Sequence, residues 1–303
     1  MRLPNLKHLH YLAVLHKEQH FARAAQKCSV SQSTLSAAIQ NLEDSLDQQL
    51  LEREHKNFVF THFGEALVEK SKHLLGQTQE WMAFAQSSGD WQSGNVKIGV
   101  IPTIAPFLFE PLINTMHAHL PKLSLQLLED TTDNLLGNLM DGEVDLLVLA
   151  LPMKTPGCKQ LLLGQDPFHL IAHEDKAKQL PHNVQIEQLP ENSIFLLQKE
   201  HCLTGHAVIA CGLAHKAQVS SLTASSLYTL VSLVNSQMGY TFLPAMALQH
   251  GILKGTSVEA LSVTNDAFRE IGLVWRNGTT RVQLFRQIAT LLAPLMPRPA
   301  VLT

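Results

Sequence analysis

Residues 21–54 read FARAAQKCSVSQSTLSAAIQNLEDSLDQQLLERE, a pattern that predicts two helices joined by a tight connector at 28–30. Ser31 is a suitable N-cap for a helix that begins at Gln32, because its hydroxyl can accept a hydrogen bond from a free backbone N–H of the first turn. Apolar residues recur in this helix at i, i+4, i+7 and i+11 and form one inward stripe: Leu35, Ile39, Leu42 and Leu46. Together with an earlier apolar period over 6–15, the pattern predicts a helix-turn-helix unit.

The outer face of the second helix is polar and uncharged. Short donors and acceptors of this kind can reach base edges in the major groove of DNA. We therefore predict that the following residues contact DNA: Arg23, Ser31, Gln32, Ser33, Thr34, Ser36 and Gln40. An ordinary solvated helix surface is the alternative explanation of the same pattern.

A hairpin is predicted directly after this helix. Residues 50–53 and 58–61 have the composition of two short strands, and the polar turn 54–57 between them carries Lys56. In a winged helix-turn-helix unit such a hairpin lies beside the groove, where Arg53 and Lys56 could contact phosphates and fix the register of binding. A solvated hairpin without any role in binding is the alternative.

A long helix is predicted over 61–86, followed by a polar segment at 87–95. Its apolar residues are spaced seven apart or lie next to those positions, and they form one seam: Leu67, Leu74, Leu75, Trp81 and Met82. A seam of this kind is typical of a helix that dimerises.

The predicted DNA-binding unit, residues 1–62, is nearly neutral. It contains seven Lys or Arg against six Asp or Glu, although a protein that binds DNA is normally more basic. It also contains six histidines, whose partial protonation near neutral pH would add positive charge. We therefore predict that the affinity for DNA depends on pH.

The whole chain of 303 residues has 45% hydrophobic and 16% charged residues, with 23 Lys and Arg against 26 Asp and Glu. That balance excludes a disordered or strongly basic protein and is sufficient for a buried core in each of two or three domains. The longest apolar runs fall short of the ~18 residues of a membrane span, and the N-terminus has no signal-peptide pattern, so we expect a cytoplasmic protein with no membrane partner. Four scattered cysteines are too few for a disulfide framework, and any bridge among them would be regulatory or catalytic.

From Val96 onwards short strands alternate with helices, which predicts an α/β domain. The predicted strands lie at 96–100, 123–127, 145–151, 168–172, 193–197, 239–243 and 271–275. The chain would cross between two sub-domains near Gly164 and return near Arg269, with a ligand cleft between them. Thr103 and Thr132 follow predicted strands, at the positions where ligand sites of α/β proteins collect.

These motifs resemble a LysR-type transcriptional regulator along essentially the whole chain. Similarity to the peroxide-sensing members of that family is carried by IGVIPT (98–103), FEPLINT (109–115), HLPKLSLQLLE (119–129), GYTFLPA (239–245) and IGLVWR (271–276). The most specific element is His201-Cys202 followed by Cys211. The resemblance implies a winged helix-turn-helix domain over 1–62, a linker helix over 63–90 and an α/β effector domain over 91–303. The effector domain would consist of two periplasmic-binding-protein-like sub-domains, one of 91–164 with 270–303 and the other of 165–269.

The resemblance also implies a regulator, not an enzyme, and a redox chemistry for it. Hydrogen peroxide would oxidise Cys202 to a sulfenic acid, and Cys211 would convert that acid to a disulfide, which changes the contacts with double-stranded promoter DNA and activates antioxidant genes. The residues that would converge on Cys202 to stabilise its thiolate and orient the peroxide are Thr103, Thr132, His201 and Arg269. The other implied partners are a cellular disulfide reductant and further copies of the chain, as a homodimer or homotetramer. Neither a cofactor nor a metal is implied.

The chain departs from the family pattern at several positions. Ser33 stands where a proline is usual, Asp47 stands where a glycine is expected, and residues 40–41 are Gln-Asn where basic residues are common. These changes bear on DNA sequence preference and affinity. Residues 199–200 are Lys-Glu in place of the usual Asp-Gly turn, which bears on the sensitivity to peroxide.

A helix over 204–210 would hold the two cysteines apart. Nine residue steps of helix span about 13 Å, whereas the Cα atoms of a disulfide lie within ~7 Å of each other. The segment would therefore refold on oxidation, and a dimer interface could carry the change to the DNA-binding units. Two alternatives stay open: a regulator that answers to a small metabolite in the cleft, with inert cysteines, and a thiol peroxidase, against which the helix-turn-helix argues.

Overall fold

The computed structural model describes residues 3–54, 57–86, 90–181, 184–198, 202–213, 216–262 and 267–297. The chain divides into two units, one formed by 1–88 with 140–143 and the other by 89–139 with 144–303.

The N-terminal unit begins with three helices: α1 (Leu6–Glu18), α2 (Phe21–Lys27) and α3 (Gln32–Leu46). The Ser31 hydroxyl accepts a hydrogen bond from the backbone N–H of Thr34 at 3.1 Å, so the predicted N-cap of α3 is confirmed. Leu35, Ile39 and Leu42 are buried, whereas Leu46, in the last turn, is only half-buried. The inward stripe therefore packs α3 into the core of this unit.

A two-stranded hairpin and a long helix complete the N-terminal unit: β1 (Leu51–Glu54), β2 (Asn57–Phe60) and α4 (His62–Gln86). Each strand is shifted by one residue from its predicted range, toward the other strand. Just before and at the start of β1, the Glu43 carboxylate accepts hydrogen bonds from the N–H groups of Leu50 and Leu51. Lys56 lies outside the described residues. The 25-residue α4 confirms the predicted long helix.

The second unit is built on one mixed sheet. Its strands are β3 (Gly94–Val100), β4 (Leu123–Glu129), β5 (Leu146–Leu151), β6 (Cys158–His173), β7 (Ile194–Leu197), β8 (Val219–Ala224), β9 (Tyr240–Pro244), β10 (Val258–Leu261) and β11 (Phe268–Arg276). Their order in the sheet is β4-β3-β5-β11-β6-β9-β7-β8, and β10 pairs with β6.

Helices pack on this sheet and connect its strands. They are α5 (Ala105–His119), α6 (Thr132–Met140), α7 (Glu174–Ala177), α8 (Cys202–Ala210), α9 (Leu227–Asn235), α10 (Ala245–Gln249) and α11 (Val282–Leu292). Two short 3-10 helices lie at Ile186–Gln188 and Ala293–Leu295. No helix in the described part of the chain is long and apolar enough to cross a membrane.

Two long strands join the halves of the second unit. β6 and β11 pair antiparallel, with Asp166 opposite Arg269, and a register shift follows at Ile271/Gly272. On one side of this pair β4, β3 and β5 run parallel, and on the other side β9, β7 and β8 do so. The two halves are therefore two small parallel sheets connected by one antiparallel pair, as expected of a chain that crosses over and returns.

The structure differs from the predicted elements in three respects. β8, β10 and the helices α7 and α9 to α11 were not predicted. β6 begins at Cys158 instead of Phe168, because the strand runs on through Gly164 and Pro167 while it stays paired with β11. α8 begins at Cys202 itself and not at Thr204, which places the cysteine in the first helical turn.

Candidate functional site

The polar centre of the second unit is a buried ion pair. The Nε and Nη2 atoms of Arg269 donate to the Asp166 Oδ2 atom at 3.0 and 2.9 Å, and both side chains are fully buried. The other carboxylate oxygen of Asp166 accepts from the backbone N–H of Met246 at 2.9 Å, at the start of α10. Removing one partner of a buried pair of this kind costs about 3–5 kcal/mol, so the guanidinium is held firmly in one position.

Thr103 completes the set of partners of Arg269. It follows β3 and is buried, and it accepts twice from the guanidinium: at its hydroxyl from Nη1 (2.8 Å) and at its carbonyl from Nη2 (3.1 Å). The structure thus brings two of the predicted site residues, Thr103 and Arg269, into direct contact. Asp166 was not predicted, although it fixes the same cation, because a single carboxylate in a strand gives no sequence signal.

Thr132 is the first residue of α6, directly beyond β4. Since β3 and β4 are parallel and Val100 lies opposite Glu129, Thr103 and Thr132 follow the same edge of the sheet. The Thr132 hydroxyl is buried and has no hydrogen-bond partner among the described residues. A buried hydroxyl without a partner is costly and is available for a ligand or water.

Cys202 lies at the first position of α8 and is half-buried, with a free thiol. The first N–H groups of a helix have no partners within it and carry the positive end of the helix dipole, which favours a negative charge on a group placed there. α8 packs against β11, β5 and β7 through Leu203 and Ala207, and the Thr204 hydroxyl donates to the Leu197 carbonyl at 2.8 Å. His201, which precedes the cysteine, lies outside the described residues.

Cys211 differs from Cys202 in its burial and in its position relative to α8. It follows the last residue of α8, its backbone N–H donates to the Ala207 carbonyl at 2.9 Å, and its side chain is buried with a free thiol. Burial raises the pKa of this thiol to about 12. Because the thiolate is the nucleophilic form of cysteine, Cys211 is inert while it stays in this position.

His206 is a histidine of α8 to which the sequence pattern assigned no role. It lies one helical turn after Cys202 and is half-buried. Burial, and after it the positive charge of Arg269, lower the pKa of this imidazole below 6.5. Both effects disfavour the charged form of the imidazole.

The predicted DNA contacts lie on or beside α3. Gln32, Ser33, Thr34 and Gln40 are exposed, and Ser36 is half-buried. Several of these residues also have partners within the unit: Ser31 contacts the hydroxyls of Ser33 and Thr34, Gln40 donates to Asp44 at 3.0 Å, and Arg23 donates to the Glu18 carbonyl at 2.8 Å. Arg53 lies in β1.

Three of the five apolar residues of the α4 seam are exposed, whereas Leu67 and Leu75 are half-buried. Leu74, Trp81 and Met82 expose 36%, 60% and 64% of their surface. Large apolar side chains exposed in a row mark a surface that another chain can cover.

Comparison with known proteins identifies the family. Residues 6–65 match the bacterial regulatory helix-turn-helix proteins of the LysR family, and residues 90–296 match the LysR substrate binding domain. The chain belongs to the LysR family of transcriptional regulators. As a LysR-family regulator it combines an N-terminal DNA-binding helix-turn-helix with an α/β effector unit, as its fold and sequence pattern predicted.

Its relatives include peroxide regulators and one regulator with a different name. It is 35% identical over 279 residues to the HTH-type transcriptional regulator EstR of Acinetobacter baylyi, covering 91% of this chain and 92% of that protein. It is 33% identical over 285 residues to the dual regulator OxyR of Escherichia coli, covering 94% and 93%. The reduced regulatory domain of OxyR2 from Vibrio vulnificus is 42% identical, with a TM-score of 0.66, and the match covers 68% of this chain and 97% of that one.

Proposed function

We propose that this LysR-family regulator senses hydrogen peroxide through Cys202 and Cys211 and changes its contacts with promoter DNA when the two residues form a disulfide. The observation that carries the proposal is the position of the two thiols. One is half-buried at the start of α8, and the other is buried just beyond its end. The similarity to OxyR of Escherichia coli and OxyR2 of Vibrio vulnificus supports the same function.

The first step is oxidation of Cys202. A sulfur–oxygen bond forms as the oxygen–oxygen bond of the peroxide breaks, the sulfur becomes a sulfenic acid, and the second oxygen leaves as water. The start of α8 and the Arg269 guanidinium favour negative charge at the sulfur and at the leaving oxygen. Thr103, Thr132 and His201 complete the proposed peroxide site, in which the unpartnered Thr132 hydroxyl is available to bind the oxidant.

The second step joins the sulfenic acid to Cys211 and releases water. Helical geometry separates the two Cα atoms by about 13 Å, and a disulfide requires ~7 Å or less, so α8 must unwind before the bond can form. The composition of α8 favours this change, because Thr204, Gly205, Val208 and Ile209 are among the residues least favourable to a helix. Unwinding also releases Cys211 from the burial that raises its pKa.

The proposed contacts with DNA are made by α3 and the hairpin. Residues 1–62 would bind DNA, with α3 in the major groove and Arg53 and Lys56 of the hairpin at phosphates. The linker helix over 63–90 would pair two chains through its exposed seam, as a homodimer or half of a homotetramer. A cellular disulfide reductant would reset the effector domain, residues 91–303.

Thiol counting by intact mass before and after stoichiometric hydrogen peroxide tests the proposal. We expect the wild-type protein to lose two of its four thiols rapidly. Cys211→Ser should stop at a sulfenic acid on Cys202, and Cys202→Ser should keep its remaining thiols. Persistence of all four thiols in the wild type at low peroxide would overturn the redox function.

A metabolite-responsive regulator is the second candidate, favoured by the same unpartnered hydroxyl of Thr132. In this case a small polar effector would bind beside Thr103 and Thr132, and the cysteines would be inert. Such a regulator would change its DNA affinity with the effector and show the same response in the Cys202→Ser variant.

A further inference from the structure

We propose that the ion pair between Lys72 and Asp141 is a positioning contact for DNA binding: it holds α4 against the turn at 140–143, and thereby sets the direction of α4 relative to the helices of the N-terminal unit. The inference goes beyond the proposed function, because it holds for any signal that the α/β unit receives. Neither residue belongs to the candidate site at Thr103, Thr132 and Arg269.

Lys72 and Asp141 form a half-buried ion pair. The Lys72 Nζ atom lies 3.0 Å from the Asp141 Oδ1 atom and 3.3 Å from the Glu69 Oε1 atom, which lies one turn earlier in α4. Only 20% of the Lys72 side chain and 24% of the Asp141 side chain are exposed, so solvent and salt screen this pair less than a surface pair. Asp141 belongs to the 140–143 turn, which packs with residues 1–88 in the N-terminal unit.

The chain on both sides of this turn is held in the second unit. The buried guanidinium of Arg276, the last residue of β11, donates to the carbonyls of Leu139 and Val144, to the latter at 2.8 Å. The Val144 N–H in turn donates to the Asn138 carbonyl at 3.2 Å. Because the two ends of the turn are bound to each other and to β11, a shift of these elements displaces the turn as well.

The elements that hold the turn also carry the candidate site. α6 begins at Thr132 and ends at Met140, so the site and the turn lie at opposite ends of one nine-residue helix, about 13 Å long. α8, which begins at Cys202, packs against β11 and β5, and β5 begins at Leu146, shortly after the turn. A change at either position can therefore reach the turn through packed elements, and the ion pair is where the turn holds α4.

α4 is held at a second point two helical turns earlier. The His16 Nε2 atom of α1 lies 2.8 Å from the Glu65 Oε2 atom of α4, and α1 packs against α3 as well as against α4. Two points of attachment, at Glu65 and at Lys72, determine the direction of α4, whereas a single point would let the helix pivot. A displaced Asp141 therefore alters the direction of α4 relative to α1 and α3.

Charge reversal in the full-length reduced protein tests the inference. The probe is a fluorescent DNA duplex that the wild type selects from a randomised pool. Lys72→Asp and Asp141→Lys should each weaken binding by about fivefold, with unchanged thermal unfolding. The double variant has the pair reversed and the net charge of the wild type, so it should bind within twofold of the wild type. Lys70→Asp is the matched control, because Lys70 is exposed on the same helix and its replacement changes the net charge by the same amount as Lys72→Asp.

Each protein is measured again after stoichiometric hydrogen peroxide, which separates this inference from the proposed function. Single variants that bind within twofold of the wild type, or a double variant as weak as the single ones, would overturn the positioning role. If peroxide leaves the wild-type affinity unchanged while charge reversal still restores binding, the proposed peroxide function fails and the positioning role stands. If the wild type responds to peroxide but charge reversal restores nothing, only the role of Lys72 and Asp141 is removed.

Discussion

In α3, a Ser31 hydroxyl closes the first turn, and three fully buried apolar residues bind the helix to its core over 15 residues. In α8, nine residues include a glycine and several β-branched residues, and Ile209 exposes 83% of its surface. Both segments are helical, but their sequences stabilise that state by different amounts. The comparison teaches that α3 is held firmly in its helical state, whereas α8, which our proposal requires to unwind, is held less firmly.

The largest expected effect is the loss of stability when α3 loses a buried side chain. Leu35→Ala removes a fully buried side chain and should lower the free energy of unfolding of the N-terminal unit by about 2–5 kcal/mol. Ile209→Ala is the matched control on α8 and should change stability by less than about 0.5 kcal/mol, because the side chain is exposed. Urea titration of both variants measures the change in the free energy of unfolding. Similar losses of stability in Leu35→Ala and Ile209→Ala would contradict the expected difference between the two helices.

The next expected effect is an increase in the stability of the helical state of α8. A Cβ at Gly205 meets no heavy atom within 4 Å, so Gly205→Ala should stabilise the helical state by about 1 kcal/mol. Disulfide formation after Cys202 oxidation should slow roughly fivefold, since α8 must unwind for it. Gly137→Ala in α6 has equally open surroundings and should leave this rate unchanged. Quenched thiol alkylation at successive times gives the rates, and an unaltered rate in Gly205→Ala would show that α8 does not open.

A third change separates the two proposed uses of Ser31. Ser31→Ala should cost about 1 kcal/mol in thermal unfolding, through loss of the N-cap bond to Thr34. Ser31→Asp keeps a side-chain acceptor at the N-cap, so it should preserve stability but weaken operator binding through repulsion of phosphates. If Ser31→Asp binds DNA as well as the wild type, Ser31 does not face the DNA.

The smallest effect concerns the end of α3. Asp47 ends the helix in the left-handed region, at φ 50°. Asp47→Gly should therefore stabilise the N-terminal unit by about 0.5–1 kcal/mol, while Asp47→Ala should destabilise it. Differential scanning calorimetry gives the melting temperatures of the two variants. Equal melting temperatures of Asp47→Gly and Asp47→Ala would show that the left-handed backbone at residue 47 carries no strain.

α3 and α8 also show which features of a helix can be predicted from the sequence. The cap at Ser31 and the stripe through Leu35, Ile39 and Leu42 are local signals, so the start of α3 at Gln32 was predicted to the residue. α8 has no comparable periodic stripe, and its start at Cys202 was missed by two residues. Where a segment is held by contacts with residues that are distant in the sequence, its local sequence pattern does not predict its boundaries.

The candidate site shows the same limit. The positions of Thr103 and Thr132 beyond parallel strands could be predicted, because strand ends in α/β proteins gather at one edge. The Asp166–Arg269 pair joins residues that are 103 positions apart in the sequence, and no local pattern connects them. The lowered pKa of His206 could not be predicted from the sequence for a related reason: the burial of its side chain and the nearby charge of Arg269 exist only in the folded chain.

Hydrogen–deuterium exchange over residues 202–211 tests the central claim most directly, in reduced protein and after stoichiometric peroxide. We expect the amides of α8 to be protected in the reduced state and to lose protection in the oxidised wild type, with protection retained in Cys211→Ser. Equal protection of α8 in the reduced and the disulfide-bonded wild type would contradict a switch that works by unwinding this helix.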